Sequence, residues 1–513
     1  MHGIPFPLLA LAAFLVACTP SDPMVEIDTG KLRGVRVNGV TAFKGIPFAA
    51  STAGENRWRP PRAAEPWNDV RAADAYAPFC PQFDSEMLWF ELGDMSEDCL
   101  ALNVWAPQSA TDARLPVMVW IHGGGYVQGS GNIARLNSPA LARDGVVLVT
   151  VNYRLTLFGF FAHPAMSAQQ AGEPLANYGL MDIVAALEWV QRNIDRFGGD
   201  PDNVTIFGES AGAGLVNYLM VMPPATGLFH RAISQSSSVG LAPDAKLRDR
   251  SGFQVPGEKL GRNFVKRANF DDSDDPIAEL RALSMEEMLA LLTPRDRFTP
   301  VIDGDWIPDH VGVLFAAGRQ HDVPYLTGGV SWEASLGRDI GGPFSPEFMV
   351  KLVPDAAKAE LYPGMDGDTL ADAVFGDLII HSQSRYLGDR MATVSSPAWE
   401  YFFSYVADER RNSQPGVAHA DEIAFVMQTL DSELDAPTDS DREVSELASA
   451  YWVQFAKTGN PNREGLPYWP EYTEKSPVVL EIGDAVSLHE SHLADRMDYH
   501  KRRGIANLDK ARD

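Results

Sequence analysis

A serine hydroxyl is a poor nucleophile at neutral pH. It becomes a useful one only where the chain also supplies a base, an acid to orient that base, and donors for the oxyanion that forms. Ser210 lies in a stretch with that potential. Gly208-Glu209-Ser210-Ala211-Gly212 follows an apolar, strand-like run at 203–207 and precedes a helix-like segment at 213–220. A Gly-x-Ser-x-Gly between strand and helix predicts a turn so sharp that its serine is held in a strained conformation, with the hydroxyl raised above the sheet. Side chains at Gly208 and Gly212 would crowd the elements closing on either side. The helix that follows would aim its N-terminal dipole at a developing anion.

The other parts can be sought in order. His122-Gly123-Gly124-Gly125 follows the strand-like run 116–121 and matches the glycine loop whose backbone N–H groups face a substrate carbonyl in lipases and esterases. Together with the Ala211 amide, Gly124 and Gly125 would give three donors, and losing one such donor costs roughly 3–4 kcal/mol of transition-state stabilisation. In this architecture the acid and then the base follow the serine along the chain. His230, His310, His321, His381, His419, His489, His492 and His500 all come after Ser210. Position favours His419, in the loop 416–422 beyond the strand-like 401–405, while His230 beside Arg231 reads as surface. Glu333 stands just past the strand-like 324–329, at the strand ends where catalytic groups gather in open α/β sheets.

These residues need a scaffold, and the hydrophobic pattern predicts one. Residues 30–43 alternate around Asn38-Gly39, a strong hairpin signal, so antiparallel strands open the fold. Buried strands are expected at 102–105, 116–121 and 146–151, the last β-branched and continuous as in a sheet covered on both faces. Leu180, Ile183, Val184, Leu187, Val190 and Ile194 share one helical face, stopped by Gly198-Gly199. Strands alternating with helices predict an α/β fold with a mostly parallel central sheet. The stretches near 245–320 and 338–395 are expected to be helical excursions capping that sheet, and 446–457 a late helix. Asp271 to Asp275 reads as a solvated loop, because it lacks the Gly and terminal Glu of a calcium-binding loop.

With 513 residues and 45% hydrophobic content the chain can bury a large core, and its net charge of −26 argues against nucleic acid as a partner. The apolar run at 4–17 has signal-peptide length and ends in Leu15-Val16-Ala17-Cys18, which resembles a bacterial lipoprotein box. Residues 1–17 are therefore expected to be a leader, 18–24 a tether with Cys18 acylated, and 25–513 one catalytic domain, exported to the periplasm or held at the cell envelope. With Cys18 so used, Cys80 and Cys99 can pair in an oxidising compartment, a cross-link worth roughly 3 kcal/mol in the chain-entropy account.

At this point the chain resembles the type-B carboxylesterases, the cholinesterase-like branch of the α/β-hydrolases. The resemblance runs through Phe43-Lys44-Gly45-Ile46-Pro47-Phe48-Ala49, through Glu97-Asp98-Cys99-Leu100-Ala101-Leu102-Asn103-Val104-Trp105, and through Phe298 to Gly304 and Phe455 to Pro461. It implies an α/β-hydrolase fold with N-terminal antiparallel strands and large helical insertions. It also implies ester hydrolysis through an acyl-enzyme on small to medium esters, with no cofactor or metal. By this resemblance Ser210 is the nucleophile, Glu333 the acid and His419 the base. Gly124, Gly125 and Ala211 are the oxyanion donors, Glu209 and Ser236 supporting residues, and Cys80–Cys99 a disulfide. Two departures bear on substrate: Ser237 follows Gln235-Ser236 where the family has glycine, and bulky Trp332 precedes Glu333. Trp89 does not map onto the family's choline-binding tryptophan. A detoxifying or polyester-degrading esterase, or a non-catalytic surface binding protein, are the alternatives.

Overall fold

Eleven strands form one sheet through the molecule. In chain order they are Val35–Val37 (β1), Val40–Pro47 (β2), Ala101–Pro107 (β3), Leu115–Ile121 (β4), Val147–Val151 (β5), Gly199–Glu209 (β6), Arg231–Gln235 (β7), Tyr325–Val330 (β8), Ala398–Phe403 (β9), Val478–Ile482 (β10) and Val486–Glu490 (β11). The computed structural model describes residues 22–83, 90–108, 113–170, 172–293 and 296–512, so the leader, Cys18 and Trp89 lie outside the described residues.

Across the sheet the order is β11, β10, β9, β8, β7, β6, β4, β5, β3, β2, β1. From β10 through to β5 every neighbouring pair is parallel. The N-terminal strands β1 to β3 add antiparallel at one edge, and β11 does so at the other. Asn38 and Gly39 turn the opening hairpin with φ of 45° and 82°, the left-handed pair that a tight hairpin needs.

Alternation along the central strands feeds two cores. Val117, Val119 and Ile121 of β4 join one, with Leu180, Ile183, Leu187 and Val190 of the helix Tyr178–Asn193. Met118 and Trp120 point to the other, against Tyr451, Trp452 and Phe455 of the helix Asp439–Thr458. A parallel strand covered on both faces must be apolar at every position, and β4 from Pro116 to Ile121 is buried throughout. The late helix begins earlier than its apolar stripe suggests, because Thr438 and Asp441 form a capping box in a polar stretch. Strand β9 is likewise displaced from the expected 401–405 to Ala398–Phe403, since Pro397 and Ala398 engage their neighbours directly. Helical excursions at 257–291 and 334–390 complete the α/β-hydrolase architecture.

Candidate active site

Strand β6 runs into the helix Ala211–Leu219, and Ser210 occupies the corner at φ 57° and ψ −122°. No β-branched or bulky residue sits easily there, and the strain persists because neighbours fix it from both sides. The Ser210 N–H donates to the Gln235 carbonyl of β7 at 2.9 Å, and the Ser210 carbonyl accepts from Gly214 N at 2.9 Å. Both flanking glycines press on one carbonyl of β4. A Cβ on Gly208 would lie 2.5 Å from the Ile121 oxygen, and one on Gly212 would lie 2.1 Å from it. The serine is half-buried, while the helix behind it is buried along its whole length.

The glycine loop leaves the end of β4 and leans on this corner. A Cβ on Gly123 would come within 2.8 Å of the Glu209 carbonyl and 3.2 Å of Ser210 Cβ. Gly124 and Gly125 take φ of 103° and 63°, a path that residues with side chains resist. Below them His122 is a fixed prop. Its Nδ1 bonds the Gly123 carbonyl at 2.9 Å, its ring stacks 4.2 Å from Tyr153, and Tyr153 donates to the His122 carbonyl at 2.8 Å. Burial pushes the His122 imidazole down to about 4, so it is neutral at working pH.

Glu333 and His419 come from two neighbouring loops zipped together. Trp332 pairs with Ala418 in a parallel bridge, the Trp332 N–H donates to the Val417 carbonyl at 2.9 Å, and His419 N–H donates to Ser335 Oγ at 2.8 Å. The carboxylate of Glu333 is fully engaged. Oε1 accepts from Val330 N at 2.8 Å, and Oε2 accepts from His419 Nδ1 at 2.6 Å. The other imidazole nitrogen, Nε2, stands 3.0 Å from Glu209 Oε1 without hydrogen-bond alignment. Ser236, at φ 53°, is buried beside β7, and its hydroxyl makes no hydrogen bond among the described residues.

A third carboxylate completes the cluster, and sequence reasoning passed over it. Glu422 is wholly buried; Gln235 Nε2 donates to its Oε1 at 3.2 Å, and Gln235 Oε1 accepts from Trp452 Nε1 at 3.1 Å. Its only signal in the sequence is its place three residues after His419, at the start of the buried helix Glu422–Val426. Three buried acids around one imidazole cannot all ionise cheaply. Burial raises Glu209 to about 7 and Glu422 to about 8, with the neighbouring carboxylates adding to the rise in each case. Burial also raises Glu333, but His419 overcomes that and holds it below the usual range. Burial alone would lower His419, yet Glu209 and Glu333 outweigh it and push the imidazole well up.

The remaining predicted residues have definite places. Cys80 and Cys99 form a disulfide. It closes the loop carrying Gln82, whose amide exchanges two hydrogen bonds with Gly129, seven residues beyond His122. Of the eight candidate histidines only His419 bonds Glu333. His230 is half-buried and accepts from Val204 N, His489 pairs with Glu481, and His310 is buried against Asp244. The side chains of the two departures are both engaged by neighbours. Trp332 turns its indole to donate to Asp372 at 2.8 Å, and the Ser237 hydroxyl is taken up by Asn217 and the Val239 N–H.

Comparison with known proteins adds to this geometry. A family profile described as the carboxylesterase family matches residues 21–343 and 366–500. Fumonisin B1 esterase of Sphingopyxis macrogoltabida is 33% identical over 510 residues, covering 94% of this chain and 91% of that protein. Para-nitrobenzyl esterase of Bacillus subtilis is 34% identical, covering 91% of this chain and 96% of that one. Acylcarnitine hydrolase of Mus musculus is also 34% identical, with 91% and 89% covered. A solved PNB esterase structure superimposes with a TM-score of 0.81 at 30% identity, covering 94% of this chain and 99% of its own.

Proposed function

We propose, for a chain that belongs to the carboxylesterase family and is a carboxylic ester hydrolase, a two-step acyl transfer run by Ser210, His419 and Glu333. The observation that carries this is the 2.6 Å contact between His419 Nδ1 and Glu333 Oε2, with Nε2 left on the side of the elbow. His419 takes the Ser210 proton as the oxygen attacks the ester carbonyl. Glu333 holds the imidazole in one tautomer and stabilises the imidazolium. The Gly124, Gly125 and Ala211 amides bind the oxyanion; the two glycines lie on a loop pressed against Ser210, and Ala211 opens a helix whose first N–H groups have no partner within it. The alcohol leaves with the proton from His419, and water then repeats the cycle on the acyl-enzyme.

Glu209 and Glu422 support the base. Held partly protonated at neutral pH, they let the cluster carry one firm negative charge, on Glu333, opposite His419. The substrates are small to medium carboxylic esters. Relatives named as fumonisin B1 esterase and pyrethroid hydrolase favour a detoxifying role as the second reading. Export with lipid on Cys18 is proposed from the leader sequence; membrane attachment that survives Cys18→Ala overturns it.

An organophosphate should label one site per chain, on Ser210, by intact mass. Labelling that persists in Ser210→Ala overturns the assignment. A panel of aryl esters graded in acyl length separates the two substrate readings.

A further inference from the structure

The triad acid has a back as well as a front. Behind Glu333 a cleft of about 470 Å³ is lined by Trp332, Asp372, Asp377, His381, Phe402 and Arg496. The segment Asp377–His381 that walls it is one turn of π-helix, a form that frequently marks functional sites. This turn borders the space beside the carboxylate, and the His381 imidazole lies within electrostatic reach of it. A methyl group placed on Gly329 would meet Glu333 Oε1 at 2.6 Å, Ile380 Cγ2 at 3.1 Å and His381 Cε1 at 3.2 Å, so all three converge on one small space. One placed on Gly376 would meet His381 Nε2 at 3.3 Å and Glu333 Cβ at 3.7 Å. The imidazole of His381 makes no hydrogen bond among the described residues; its ring lies edge-on to Phe402 at 5.6 Å.

What holds the turn comes from elsewhere. Tyr362 is buried, and its hydroxyl donates to Asp377 Oδ2 at 2.8 Å while accepting from His500 Nε2 at 2.8 Å. Arg496 donates to the same Asp377 oxygen at 2.6 Å and lies 4.4 Å over the Tyr362 ring. Tyr362 belongs to residues 344–365, which fall between the two stretches that the family profile matches. Glycines with positive φ and open space around them bracket that segment: Gly341 and Gly342 before it, Gly364 and Gly367 around its end. Residues 344–365 are held to the body by Val353 and Tyr362, both buried with Val374, and by the Phe344 ring against Phe375; of these, Tyr362 is the one whose polar group reaches the turn.

We propose that Tyr362 is a positioning residue for the hydrolysis, acting through the Asp377–His381 turn to keep the Glu333 carboxylate in register with His419. The proposal rests on Glu333 being the triad acid. Within hydrogen-bonded catalytic units, small misplacements of an orienting group lower turnover more than substrate binding.

The test uses the full-length protein, with active sites counted by organophosphate titration. Tyr362→Phe keeps the ring over Arg496 and removes only the hydroxyl. It should lower kcat per titrated site by about three- to tenfold and leave KM within about twofold. His381→Gln should do the same, and the double variant should be no slower than the slower single one, because both act along one path. Losses that multiply in the double variant overturn the proposal. So does a Tyr362→Phe protein with lowered Tm but unchanged kcat per site. Should Tyr362→Phe not fold, Asp377→Asn carries the same expectations. Glu333→Gln in the same assay separates the two levels: a loss of less than about a hundredfold overturns the triad reading itself.

Discussion

Ser210, Glu333 and His419 are the residues whose spacing along the chain carried meaning, because chain order, strand ends and a flanked serine leave few alternatives. Glu422 was not legible in that way. A lone Glu three residues after a histidine reads as helix surface until packing seals it beside Gln235 and Trp452. Its partner in the cluster, Glu209, gives a sharp prediction. The carboxylates beside His419 favour its imidazolium, so the acid limb of kcat/KM should lie above the ordinary histidine value. Glu209 ionises as pH rises and then adds to that stabilisation, so Glu209→Gln should move the acid limb down by about one pH unit. A limb that stays or moves up counts against this arrangement. Ser210→Ala should cost at least about a thousandfold in kcat with the fold intact by circular dichroism.

At the scale of elements, the strands of the central sheet and the helix Tyr178–Asn193 follow from hydrophobic period, since a strand covered on both faces must be apolar throughout. Boundaries that depend on polar caps are harder to read from period alone. The helix Asp439–Thr458 gains its first turn from Thr438 and Asp441, and the exposed loop at 271–275 ends in Asp275, which caps Pro276–Ala282 by accepting from Ala278 N at 3.1 Å. Thr438→Ala should lower stability by about 1 kcal/mol with kcat unchanged, read from urea midpoints. The elbow is less forgiving. Gly212→Ala would put a methyl 2.1 Å from the Ile121 carbonyl, so the strand or the helix must move, and soluble variant should have lost most of its organophosphate labelling.

For the whole molecule, burial of neutral histidines sets a pH window. His122, His492 and His500 are each pushed down to about 4 by burial, against an ordinary value of 6.5. Between those values the unfolded chain binds more protons at these sites than the folded one, so their contribution to stability is full above 6.5 and is lost as pH drops towards 4. Glu209 and Glu422, raised by burial, bind more protons in the folded chain and oppose that loss down to about pH 4.5. With both replaced by Gln the opposition is gone, and Tm should fall steadily from about pH 7 to 4.5; a flat Tm in that variant would contradict the histidine assignment. The Cys80–Cys99 link has a different reach. It fastens the loop whose Gln82 grips Gly129, next to the glycine loop, with both cysteines buried at the margin of the first core. Preparations of this enzyme made in a thiol-rich cytosol should therefore be soluble and folded yet uneven in specific activity from batch to batch, and air exposure should bring them to a common value: redox history would be written into the turnover number.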